Sequence, residues 1–388
     1  GVDTEALKGY FQSSQLLGLL NLFSGGSMQN FSIVMMGVAP YITASIIFQL
    51  LSMIVPKLEE MNKEEAGKQK INMWTRWLTV PLAMMQSYSM ITLLQSQTAS
   101  QILRDVTPFN MFSMIITITA GTIFLMWLGE LITEKKLGNG ISLLIFAGIV
   151  SSLPQSIMQY FSGNYDPSQL LLVIGFIFIA LATVVGVVVI TEGQRNIPVQ
   201  YAKQIRGTRT FGGTSTHLPL RVNMAGVIPI IFAISVILFP PMVAQFFVEA
   251  HSAWLKDAAR WVITVFQNQL FYGISYFVLV FAFTFFYTEV IFHPSQIAEN
   301  LQKQGGFIPG IRPGKATSDY LTYTAYRIIF VGALFLSFIA VMPLVLQYFT
   351  GSQALTIGGT SLLIVVAVVI ETVKQVEAQL TMREYEGI

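Results

Sequence analysis

The sequence predicts an all-α integral membrane protein, and three observations carry the prediction. Of the 388 residues, 53% are hydrophobic and 11% charged, with a mean hydropathy of +0.63. Soluble domains carry about a quarter charged residues, so composition alone argues against one. The charges are also bunched, with none between Lys8 and Lys57, Arg76 and Arg104, Asp105 and Glu130, Lys136 and Asp166, or Arg221 and Glu249. A spanning helix needs about 20 apolar residues, and each gap has room for at least one. Finally, the apolar stretches lack the polar stripe that a soluble helix turns to water.

Taken in order, these stretches place nine spans at residues 31–55, 77–95, 109–131, 140–160, 169–190, 222–247, 272–292, 321–348 and 355–376. Ahead of the first lies a short apolar helix, LLGLLNLF at residues 16–23, closed by Ser24-Gly25-Gly26-Ser27. It is too short to cross a bilayer. Two readings stand: an interfacial anchor, or a half-helix folded into the protein to occlude a cavity. Residues 254–266 differ. There Trp254, Leu255, Trp261, Val262, Val265 and Phe266 share one helical face while Lys256, Asp257 and Arg260 lie elsewhere, the pattern of a helix resting on a membrane surface.

Of the 22 Lys and Arg residues, eighteen fall in one set of loops and four in the other. The richer set is cytoplasmic by the positive-inside rule, and the C-terminus with it. Nine spans then leave the N-terminus outside, yet residues 1–15 show no signal-peptide pattern. One further span before Gly1 resolves the parity and gives ten in the full protein. Two five-span halves of opposite topology would then meet near residue 165, as in many inverted repeats. The half at 1–165 holds the short helix and four of its five spans. The half at 166–388 holds five spans and two long cytoplasmic loops, 192–223 and 293–320.

In the first long loop, extended runs at 196–202 and 215–220 flank a Gly-rich tip, Arg206-Gly207-Thr208-Arg209-Thr210-Phe211-Gly212-Gly213. This pattern predicts a projecting hairpin. The second loop centres on GGFIPGIRPGK at residues 305–315, a rigid turn presenting Arg312 and Lys315. Positive-inside topology accounts for the charges alone. A docking surface for a large anionic or acidic partner also accounts for their place at the tips of stiff protrusions.

Catalytic signatures are missing: the sequence has no HExxH, no phosphate-binding GxxxxGK[ST], no GxGxxG and no nucleophile elbow. It has no cysteine, which removes disulfides, thiolate metal sites and cysteine nucleophiles together. The histidines, His217, His251 and His293, all lie outside the middle of a span, so neither a metal nor another cofactor is expected. Glu130, Glu289 and Glu371 lie at cytoplasmic span ends, and Glu371, Lys374 and Glu377 are spaced to pair along one helix face. A coupled ion transporter usually needs an ionisable group near the midplane. None is found, which weakens a secondary transporter, the second reading, and an intramembrane enzyme lacks any catalytic pair. The spans offer instead Gly37, Pro40, Thr43, Ala44, Ser45, Pro229 and Gly358-Gly359-Thr360-Ser361, with Val38, Ile42, Ile46, Ile141, Ile145, Ile231 and Ile364 beside them. Small residues bring helices close. Branched aliphatics can also form a constriction that blocks ions by dewetting.

Longer motifs narrow these readings. GVAPYITASIIFQLL at residues 37–51 resembles the second-span signature of the SecY/Sec61-alpha family, and FLMWLGE at 124–130 followed by GNGIS at 138–142 resembles the family's second signature. STHLPL at 215–220, NMAGVIP at 223–229, PGIRPG at 309–314 and GGTSLLI at 358–364 continue the match in the family's order. The resemblance implies a ten-span SecY-type inverted repeat, with nine spans and a plug half-helix in this sequence. It implies a protein-conducting channel of the bacterial plasma membrane, not an enzyme, whose lateral gate is built largely from the spans holding Ile42 and Ile231. The pore ring falls on Val38, Ile42, Ile141, Ile145, Ile231 and Ile364; Val38 replaces the isoleucine common there, so a slightly wider ring is expected. The plug falls on Leu16, Leu17, Leu19, Leu20, Phe23, Gly25 and Gly26. Arg206, Arg209, Arg312 and Lys315 would dock the ATPase motor SecA or the ribosome. The small subunits SecE and SecG, the secretory preprotein and the lipid bilayer complete the implied partners.

Overall fold

The computed structural model describes residues 27–28, 30–95, 107–136, 138–162, 170–201, 204–206, 209–211, 215–248, 252–350 and 353–386, with Leu7 and Ser24 as isolated positions. The plug positions named above, Leu16, Leu17, Leu19, Leu20, Phe23, Gly25 and Gly26, lie outside the described residues. Each predicted apolar stretch is occupied by a helix. In the first half these are α1 (Ala39–Ile54), α3 (Glu65–Gln95), α4 (Pro108–Glu134) and α5 (Gly140–Ser162), with the short α2 (Pro56–Lys63) between α1 and α3. The second half has α6 (Leu170–Glu192), α7 (Ile228–Phe247), α8 (Ala253–Gln267), α9 (Gln269–Ile291), α10 (Pro294–Lys303), α11 (Lys315–Thr350) and α12 (Gln353–Glu386).

The boundaries follow local chemistry. α1 begins later than hydropathy predicts because Phe31 and Gly37 take positive φ, 48° and 56°, while Pro40 sits in the first turn. A helical first turn has no use for the N–H that proline lacks. α1 ends at Val55, which is extended (φ −102°, ψ 108°) as a residue before proline prefers, and the chain bends 111° into α2. α7 likewise starts past Gly226, at φ 64°, with Pro229 in its first turn. The Thr107 side chain caps α4 by accepting from the Asn110 N–H at 3.3 Å, and Asn139 Oδ1 accepts from the Ile141 and Ser142 N–H groups at the start of α5.

The result is an all-α membrane fold. Among the described residues four helical runs are long and apolar enough to cross a bilayer: Pro108–Glu134, Ile228–Phe247, Gln269–Lys303 and Lys315–Val345. The bent α1–α2 pair would make a fifth if it is one span. Helices pack in a closed circuit, α7 to α9 to α11 to α12 to α5 to α4 to α3 and back to α7. α1 packs against α3, α4 and α7, and α6 against α11 and α12. The core fills the middle of the circuit. α8 rests its buried Ala259 toward the bundle and leaves Trp254 and Trp261 about 75% and 67% exposed, one face of an interfacial helix.

The two long loops form one body. β1 (Gln194–Tyr201) pairs antiparallel with β4 (Ser215–Arg221), and a smaller hairpin, β2 (Gln204–Arg206) with β3 (Arg209–Phe211), extends the tip. The sequence reading treated the second loop as a separate protrusion. Instead its strand β5 (Gly306–Phe307) joins the free edge of β1, giving the order β4-β1-β5. A small core of Ile197, Val199, Leu220, Ile308 and Leu321 locks the sheet to the start of α11.

Candidate functional site

A cavity of about 660 Å³ opens on the basic side of the bundle, among α1, α3, α4, α5, α7 and α12. Its upper wall is polar. There the Arg76 Nε lies 2.6 Å from Glu130 Oε1, joining α3 to α4. Half the Arg76 side chain faces solvent, so this pair shapes the rim more than it stabilises the fold. Another part of the lining is aliphatic, with Ile42, Ile141 and Ile231 reaching it from three different helices. A second lobe of about 530 Å³ shares Asn139, Ile228, Tyr287 and Gln375 with the first and continues toward Glu371 and Arg221.

The six positions assigned to the ring all belong to, or pack against, the large apolar core, and three of them, Ile42, Ile141 and Ile231, line the cavity. Val38, Ile42, Ile145, Ile231 and Ile364 are buried, each at most 5% exposed, and Ile141 packs half-buried against the same cluster. They arrive from α5, α7, α12, α1 and the residue before α1, so sequence distance is bridged by the circuit itself. The close approach of α4 and α5 at this level depends on glycine: a Cβ on Gly140 would stand 1.8 Å from the Gly129 carbonyl oxygen.

On the far side of Ile42 lies a much smaller cavity, about 20 Å³, between α1, α3 and α7, lined by Thr43, Gln86, Ser235 and Met242 among others. Gln86 is buried and its Oε1 has no hydrogen-bond partner. The α3–α7 seam beside it is closed by the Ser89 hydroxyl, which donates to the Met242 carbonyl at 3.1 Å, and by Tyr88 stacked on Phe246 with centroids 5.4 Å apart. The sequence reading passed over these residues. Their signal was there: Gln86-Ser87-Tyr88-Ser89 is a polar run in the middle of an apolar stretch.

The charged residues are partly rearranged. Lys374 was expected to pair along its own helix with Glu371 and Glu377, but its Nζ lies 2.7 Å from Glu192 Oε1 at the end of α6. An inter-helix carboxylate within reach competes directly with the i,i±3 partners. The Gln379 side-chain amide donates to the Lys136 carbonyl, so α12 is also tied to the end of α4. Arg312 and Lys315 are exposed on a turn whose Gly310 and Gly314 take φ 81° and 97°, and the Thr317 hydroxyl bonds the Arg312 carbonyl at 2.9 Å. Arg206 and Arg209 are cross-strand neighbours in the tip hairpin; the structure describes their backbone only. On α10, Lys303 donates to Glu299 one turn back and holds that carboxyl below the usual carboxylate range. Among the described residues no group of acids and histidines is placed to hold a metal ion.

Residues 32–373 match the family profile described as SecY. The protein translocase subunit SecY of Halalkalibacterium halodurans is 46% identical over 397 residues, covering 100% of this chain and 91% of its own length. That of Bacillus subtilis is 44% identical over 396 residues, covering 100% and 90%. Among solved structures, one described as a protein conducting channel superposes with a TM-score of 0.62 at 18% identity, over 92% of this chain and 83% of the other. Sec61 in the canine ribosome–channel complex superposes at 0.58 and 17% identity, over 92% and 83%. These two likenesses concern the fold.

Proposed function

The chain belongs to the SecY family, and on that premise we propose that it is the pore-forming subunit of a channel that passes unfolded secretory proteins across the bacterial plasma membrane. The observation that carries the reading is one cavity lined both by polar and charged groups and by the aliphatic side chains of Ile42, Ile141 and Ile231. A charged residue at the centre of a bilayer costs roughly 2.5–3.5 kcal/mol on insertion scales. A water-filled vestibule removes that cost for a chain in transit. At the narrowest level Val38, Ile42, Ile141, Ile145, Ile231 and Ile364 form a ring that grips the chain without specific bonds and keeps ions out by dewetting.

The closed seam of α1 and α3 against α7 is the lateral gate. When it parts, a sufficiently apolar segment leaves sideways for lipid, and a polar one continues across. The segment 16–27 is the plug. The basic side is cytoplasmic, together with the C-terminus, and its sheet-braced turns dock the machine that supplies the energy. Arg206, Arg209, Arg312 and Lys315 suit the acidic surface of the motor SecA or the phosphates of ribosomal RNA. SecE and SecG are the small subunits that complete the assembly.

The lack of cysteine makes the test direct. Single cysteines replace Ile42, Ile231 or Ile364, and a secretory chain carrying one cysteine is stalled in mid-transit. Disulfide adducts are expected at these three sites and not at Phe178, an α6 residue 72% exposed on the outside of the bundle. Transit that proceeds with no adduct at any of the three would remove the pore assignment.

A further inference from the structure

The outer surface of the bundle carries a further cavity, which shares no lining residue with those described above. Between α9 and α11 the helices enclose about 190 Å³, with Phe285, Thr288, Glu289, Phe292, Tyr326 and Ile329 among its walls. Glu289 stands in the last turn of α9 and is exposed, as is Tyr326, whose hydroxyl lies 3.5 Å from Glu289 Oε1. Among the described residues Glu289 has no cation within ion-pair distance. Arg327, on α11, lies 4.2 Å over the ring of Tyr323. Tyr326 stacks on Phe285 with centroids 6.3 Å apart and planes 20° from parallel. Tyr323, Tyr326, Arg327 and Phe330 all lie on one exposed face of α11.

An unpaired carboxylate backed by aromatic rings is a receptor for an ammonium group: the carboxylate takes the N–H donors and the ring faces take the charge. The place in the fold selects the source. The last turn of an apolar helix is at head-group level, where Tyr and cationic side chains also gather. A cation on the same exposed face of α11 as Tyr326 suits the phosphate that a phosphatidylethanolamine-type head group carries beside its ammonium. We propose that the α9–α11 cavity binds the head group of an ammonium-bearing zwitterionic lipid, with Glu289 and the Phe285, Phe292 and Tyr326 rings on the ammonium and Arg327 on the phosphate. The proposal rests on the membrane fold and not on translocation.

The test uses the full chain with its small subunits in nanodiscs of phosphatidylethanolamine and phosphatidylglycerol, followed by partial delipidation and native mass spectrometry. Retained phosphatidylethanolamine is expected on the wild type. Glu289→Gln should reduce it about tenfold, the scale of one charge-assisted hydrogen bond, with phosphatidylglycerol retention unchanged. Tyr326→Ala, which leaves the carboxylate in place, should lower it several-fold and keeps the test open if the first variant folds poorly. Equal retention of phosphatidylethanolamine in wild type and both variants would overturn the proposal. So would a wild type that keeps the two lipids alike, or a photocrosslinker at position 289 that captures only a protein chain.

Discussion

Ile42 faces two spaces at once, the vestibule and the small cavity beside Gln86, so this one side chain is the partition between them. Replacing a fully buried isoleucine by a small polar residue forfeits about 1.5–3 kcal/mol of apolar burial and offers water a foothold in the constriction. Ile42→Ser and Ile231→Ser are expected to raise ion conductance in planar bilayers, and Ile364→Gly to do the same. Conductance equal to wild type in all three would show that the seal lies elsewhere. Gly140 makes a different kind of demand. Its missing Cβ would meet backbone, which cannot rotate away, whereas Gly175 has nothing within 4 Å. Gly140→Ala should therefore cost about 1–3 kcal/mol through overpacking and lower the thermal midpoint in detergent, while Gly175→Ala should leave it in place.

At the scale of elements, the α3–α7 seam is held by a few contacts of known size. The stacked Tyr88–Phe246 pair contributes about 0.5–1.5 kcal/mol beyond its buried area. Such contacts can break without unfolding the helices that make them. Tyr88→Ala is expected to let proteins with weakly apolar signal segments be exported more efficiently, measured as the fraction of a marginal substrate reaching the far side. No gain with such substrates would mean that the stack does not set the threshold. The sheet on the basic side is held in another way, by the small core of Ile197, Val199, Leu220, Ile308 and Leu321. Val199→Asp would bury a charge among those side chains. It should free both loops together, seen as coincident protease cleavage in residues 194–221 and 304–314, because among the described residues β5 pairs with β1 alone.

For the whole molecule, the helices of residues 39–162 meet those of residues 170–386 at two places in the circuit, α1 and α3 against α7 and α5 against α12. The second junction is reinforced by the Gln379–Lys136 hydrogen bond, and α12 is further tied to α6 by the Lys374–Glu192 ion pair. At the first, the described residues place the Tyr88–Phe246 stack and the Ser89–Met242 hydrogen bond beside apolar packing. Opening is thus expected at α1/α3–α7, about the other junction as a hinge. Thr43 and Ser235 line one cavity from facing helices. Cysteines in place of both, joined by a short cleavable linker, should stop transit, and cleaving the linker should restore it. Transit through the linked protein would place the opening on another side.

Much of this was legible in the sequence, because the terms involved are local. Apolar length predicted a helix in each of the nine stretches, Pro-Val-Tyr runs around glycines predicted the hairpin, and amphipathic spacing predicted α8. Local chemistry also carries the caps at Thr107 and Asn139. The aliphatic site positions were readable as residue types, and the motifs around them named the family. Only the tertiary structure decided that β5 completes the β1 edge, that Lys374 chooses Glu192 over its own helix, and that Ile42 stands between two cavities with Gln86 behind it. The physical reason is one of range. Burial and backbone preference are written into each stretch of chain, whereas a cross-strand register, an inter-helix ion pair or a shared cavity wall depends on which distant segments the packed circuit brings within a few ångströms.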